Sequence, residues 1–60
     1  MRIRVNNYKN HDITVEIGMT EKACQNIRNM FDYCDTIEHD GKRYELYVDS
    51  VDGFYGIEIH

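Results

Sequence analysis

The stretch Lys42-Arg43-Tyr44-Glu45-Leu46-Tyr47-Val48-Asp49-Ser50-Val51-Asp52-Gly53-Phe54-Tyr55-Gly56-Ile57-Glu58-Ile59-His60 decides the fold. β-prone aromatic and aliphatic residues flank Asp52-Gly53 on both sides. Asp-Gly between β-prone arms is a strong hairpin signal, because a type I′ turn needs positive φ at both central positions. A two-residue turn there sets Val51 opposite Phe54, Val48 opposite Ile57 and Leu46 opposite Ile59. Tyr44, Leu46, Val48, Tyr55, Ile57 and Ile59 then share one face, which a helix is expected to cover. Tyr47, Val51 and Phe54 look outward.

A second Asp-Gly pair, Asp40-Gly41, precedes this stretch. Its leading arm, Thr36 to His39, holds one clearly apolar residue, Ile37. It reads as a short strand or as an extended loop. Further back, Ala23, Cys24, Ile27, Met30, Phe31 and Cys34 recur at steps of one, three, three, one and three, the stripe of a helix over about 21–33. Thr20 suits its N-cap and Glu21 the positive end of its dipole. At the start, Met1, Ile3 and Val5 alternate with Arg2, Arg4 and Asn6, and Ile13, Val15 and Ile17 repeat the period of two. A five-residue loop over 7–11 pairs Val5 with Ile13, Ile3 with Val15 and Arg2 with Glu16. A slip of one residue would turn every apolar side chain to the wrong face.

The expected fold is therefore one α+β domain over residues 1–60, a single helix on one face of a four- to five-stranded sheet, in the order ββα(β)ββ. In element order and length this resembles the β-grasp arrangement of ubiquitin and of the immunoglobulin-binding domains of protein G. The resemblance implies that the first and last strands lie side by side and parallel. The alternative is an antiparallel meander of the last three strands with the first hairpin beside it.

With 60 residues there is room for one small core, and 42% hydrophobic with 30% charged residues is a globular balance. No apolar run approaches the roughly 20 residues that a membrane-crossing helix needs. No basic, apolar leader is visible, so the cytoplasm is the expected compartment. If Cys24 and Cys34 share one helix, about 15 Å separates them, against the limit of roughly 7 Å for a disulfide. Both read as buried, inert thiols. His11, His39, His60, Cys24 and Cys34 show no metal-ligand spacing, so neither metal nor cofactor is expected. No nucleophile sits beside a histidine in a recognisable motif, and no glycine-rich phosphate loop follows a strand. A non-enzymatic role is expected.

The net charge of −4 is unevenly spread. Residues 1–31 carry five Lys and Arg against three Asp and Glu, whereas residues 32–60 carry two against eight. The acidic half repels phosphate backbones, which argues against direct nucleic-acid binding and for a basic protein partner. The expected partner-binding surface is the outward face of the last hairpin: Tyr47, Val51 and Phe54 ringed by Glu45, Asp49, Asp52 and Glu58. In size and acidity the chain resembles the small inhibitors of mobile elements, such as anti-CRISPR and other anti-defence proteins. That resemblance implies a partner with a basic, nucleic-acid-handling surface. Richness in Asn, Asp, Ile and Tyr fits the A/T-rich genome of a phage. The competing expectation is a homodimer through the outer sheet face or a strand edge.

Overall fold

The computed structural model describes residues 1–49 and 53–60. The strands are β1 (Arg2–Tyr8), β2 (His11–Glu16), β3 (Asp32–His39), β4 (Lys42–Val48) and β5 (Phe54–Glu58), with α1 (Glu21–Met30) between β2 and β3. They form one mixed five-stranded sheet in the order β1-β2-β5-β4-β3. β2 and β5 run parallel, and every other neighbouring pair is antiparallel. The strand beside β5 is thus β2, not the first strand that a β-grasp order requires. β3, β4 and β5 make the antiparallel meander of the alternative reading, with the first hairpin attached through β2. No helix among the described residues is long and apolar enough to cross a membrane.

β1 and β2 pair as their alternation dictates, with Arg2 opposite Glu16, Ile3 opposite Val15 and Val5 opposite Ile13. The expected five-residue loop is tighter. Lys9 (φ 48°) and Asn10 (φ 70°) form a two-residue turn, and Asn6 and Asn7 together oppose Asp12. That bulge absorbs the extra residue and puts Asn7 at φ 57°.

The helix starts where expected: the Thr20 hydroxyl accepts from the Ala23 N–H at 3.2 Å. It stops three residues early. Phe31 is already extended, and its N–H makes the last helical bond, to the Ile27 carbonyl. Tyr33, Cys34, Thr36 and Ile37 are β-prone, and they continue as one long strand. Asp40 (φ 54°) and Gly41 (φ 78°) turn that strand onto β4, pairing His39 with Lys42, Ile37 with Tyr44 and Thr36 with Glu45. Cys34 is the extra residue of a bulge between the Tyr33–Tyr47 and Asp35–Leu46 pairs. It belongs to a strand, so the same-helix argument against a disulfide does not apply. The two thiols are kept apart by the sheet instead: Cys24 packs in the cluster under the helix and Cys34 in the cluster on the other face. Both are free.

The last hairpin has a different register from the expected one. Val48 lies opposite Phe54, Tyr47 opposite Tyr55, Leu46 opposite Gly56 and Glu45 opposite Ile57. Residues that face each other across a pair share a face. Tyr44, Leu46, Val48 and Phe54 therefore line one side, and Tyr47, Tyr55 and Ile57 line the other. The expected single face is split. The physical reason is double burial: α1 covers one side with Ile27, Phe31 and Cys24, and the sheet curls over the other, where Val15 and Leu46 are fully buried. A strand buried on both faces loses the alternation that a register can be read from. Part of the expected Asp52-Gly53 turn, with Val51, lies outside the described residues.

The curl brings the two edge strands together at one end. The Tyr8 hydroxyl, from β1, lies 3.3 Å from the Cys34 thiol and donates at 3.3 Å to the Asp35 carboxylate, both on β3. Desolvation, followed by those two neighbours, raises the pKa of the Tyr8 phenol above its ordinary value.

Candidate protein-interaction surface

The expected binding residues divide among separate places. Tyr47 is 8% exposed and lies beneath α1 against Ile27 and Ile57. Its expected outward position is overturned by the observed register. Phe54 is on the opposite, curled face, where its ring meets the edge of Tyr8 at 6.3 Å. The two aromatics cannot form one platform. Glu45 is held by Arg28 of the helix at 3.6 Å and accepts from the Tyr47 hydroxyl at 3.4 Å. Asp49 ties the β4–β5 connection: it accepts from the Gly53 N–H at 2.9 Å and from the Tyr55 hydroxyl at 3.3 Å. Burial first, and then the Asp49 carboxylate, pushes the Tyr55 phenol up. Glu58 is exposed at the end of β5. Val51 and Asp52 lie outside the described residues.

An exposed aromatic does occur on the helix side of the sheet, on β3. Tyr33 is 56% exposed, and its ring stands edge-on against Tyr47 at 5.9 Å. Its hydroxyl lies 2.7 Å from the Thr36 hydroxyl, which fixes the ring along the strand. Met30, the last helical residue, is 73% exposed, although its spacing assigned it to the buried stripe. Asp32, Glu38 and Asp40 are exposed along the same strand and turn. Among the described residues none of these three carboxylates has an ion-pair partner within 4 Å, although Arg43 lies across from Glu38. β3 is also an edge strand, open to pairing on its far side. It therefore combines an anchored aromatic, exposed carboxylates and a free backbone edge, and it follows directly on the exposed thioether at the end of α1.

Sequence reasoning missed Tyr33 because the stripe from Ala23 to Cys34 carried the helix through it. The hairpin offered a corrective signal. Seven residues of β4 leave a symmetrical turn at Asp40-Gly41, and a partner of equal length must begin near Tyr33.

A separate open groove of about 610 Å³ runs between the start of α1 and the ends of β4 and β5, walled by Ile17, Met19, Cys24, Tyr44, Ile57 and Glu58. Its floor is the edge of the core, and Glu21, Arg28, Lys42 and His60 also line it. Among the described residues no three His, Cys, Asp or Glu side chains converge where they could hold a metal ion. Compared with known proteins, the chain matches no protein family, no curated protein and no solved structure.

Proposed function

We propose that this chain is a small, acidic, non-enzymatic interaction module that docks through β3 onto a basic, nucleic-acid-handling surface of another protein and blocks it. Inhibitors of mobile elements act against host defence in this manner. The observation that carries the reading is Tyr33, anchored on Tyr47 and 56% exposed on an edge strand that, with its turn, also carries the exposed carboxylates of Asp32, Glu38 and Asp40. An arginine on the partner can lay its guanidinium over the Tyr33 ring while the carboxylates take up its neighbours. Complementary charge of this kind sets encounter rate and partner choice. Unlike a platform of Tyr47 and Phe54, this surface needs no rearrangement of the core.

The test is affinity capture from bacterial extracts, with the wild type compared against the Tyr33→Ala/Asp32→Lys variant. The wild type is expected to retain basic nucleic-acid-binding proteins, to release them at roughly 0.5 M salt, where charges beyond a few ångströms are screened, and to lose them in the variant. Equal capture by both forms, or capture that salt does not weaken, sinks the reading. A second reading, pairing between copies of the chain, has its own support in the charges of the two sheet edges.

A further inference from the structure

We infer that this chain associates with further copies of itself head to tail, the basic edge strand β1 of one copy pairing antiparallel with the acidic edge strand β3 of the next. This does not depend on the partner reading above, since it needs β1, which lies at the other end of the sheet order.

The backbone is the first support. Met1 exchanges both of its bonds with Ile17. Hydrogen-bonded and non-bonded pairs alternate along an antiparallel ladder, so Ile3 and Val5 face β2 with their amides, and Arg2 and Arg4 aim theirs outward. On the other edge, His39 and Lys42 flank the two-residue turn and form its closing pair. The backbones of Glu38 and Thr36 then aim away from β4. The Thr36 N–H accordingly finds the Asp35 carboxylate at 2.8 Å instead of a strand. The open backbone positions thus belong to arginines on one edge and include Glu38 on the other.

Charge favours the head-to-tail way of pairing. A two-fold β3–β3 pairing centred on Asp35 sets Glu38 opposite Asp32, and a β1–β1 pairing centred on Ile3 sets Arg2 opposite Arg4. Like charges directly opposite destabilise a pair. In the head-to-tail pairing, Arg4 faces Glu38. The same register sets Val5 opposite Ile37 and Asn6 opposite Thr36, so the half-buried apolar residues Val5 and Ile37 meet on the curled face. Strand direction also agrees. Following the sheet from β1 through β2, β5 and β4 leaves β3 antiparallel to β1. A copy carried along the sheet without turning therefore presents β3 in the orientation that β1 needs. Arg4 has no ion-pair partner among the described residues, and neither does Glu38. Within one chain the two edges are tied by side chains at the Tyr8–Asp35 end. No backbone pairing joins β1 to β3.

Pairing of one strand on each side buries less than the roughly 1,000 Å² of a stable interface, so the association is weak and reversible. Sedimentation equilibrium tests it with the full chain and the exposed-site variants Arg4→Glu and Glu38→Arg, each checked for an unchanged circular dichroism spectrum. At low salt the wild-type mass is expected to rise with concentration, to at least twice the 7.2 kDa of one chain, and to return to 7.2 kDa at high salt. Either variant alone stays monomeric. An equimolar mixture of the two associates again, because each then meets an edge of opposite charge. A wild type that is monomeric at every concentration overturns the inference. So does a mixture that remains monomeric.

Discussion

A Cβ on Gly56 would lie 3.0 Å from Ile17 Cγ2 and 3.1 Å from Val15 Cγ1. Both are core side chains, 5% and 0% exposed, and neither has room to retreat. Gly56 lets β2 and β5 come together beneath Leu46, which faces it across the β4–β5 pair. Gly56→Ala is therefore an overpacking substitution, expected to cost about 1–3 kcal/mol. In a domain of this size each kcal/mol corresponds to about 4–8 °C in Tm. Thermal unfolding followed by far-ultraviolet circular dichroism checks it; an unchanged Tm would show that β2 and β5 are not packed this closely. Glu45 and Asp49 show a related point. Both looked like surface acids in the sequence, and both hold the fold in place, one through Arg28 and the other through the Gly53 N–H.

Among the elements, β3 differs most from its sequence reading, and Gly41→Ala tests it directly. Gly41 has φ +78°, and nothing lies within 4 Å of the position its Cβ would take, so the substitution strains the backbone without any steric contact. The left-handed region costs an alanine roughly 1–2 kcal/mol. Urea unfolding is expected to show that loss; an unaffected midpoint would mean that β3 and β4 do not depend on this turn. The legibility of each element follows from how many of its faces are buried. β1 and β2 are polar on one side, so their alternation fixed the register that the structure has, down to Arg2 opposite Glu16. The start of α1 was legible from Thr20. Its end was not, because Phe31 and Cys34 fall at helical spacing while belonging to the cap and to β3. β4 and β5 are covered on both faces, and there the period of two carries no information about register. The expected surface of Tyr47 and Phe54 rested on that register and was lost with it. The acidic character of the second half survives any register, and it reappears on β3 and the turn after it as Asp32, Glu38 and Asp40.

At the scale of the whole molecule, Tyr8 joins the two ends of the sheet order. Its hydroxyl donates to Asp35 and lies beside Cys34, and the ring packs against Phe54 in the curled core. In the fold the phenol holds its proton more tightly than a free tyrosine does, because ionisation would place a charge in a desolvated site next to a carboxylate. The unfolded chain has the ordinary phenol pKa of about 10. A group whose pKa is raised by folding contributes stability that is full below the unfolded value and declines as pH rises beyond it. The urea midpoint should hold steady from neutral pH to about 9 and fall above about 10. Tyr8→Phe removes one hydrogen bond that closes the seam, so at neutral pH it is expected to be less stable by about 1 kcal/mol. Its alkaline decline should be shallower than that of the wild type, without vanishing, because burial also raises the Tyr55 phenol. The two stability curves should therefore converge as pH climbs. Parallel curves from pH 7 to 11 would mean that Tyr8 does not tie β1 to β3.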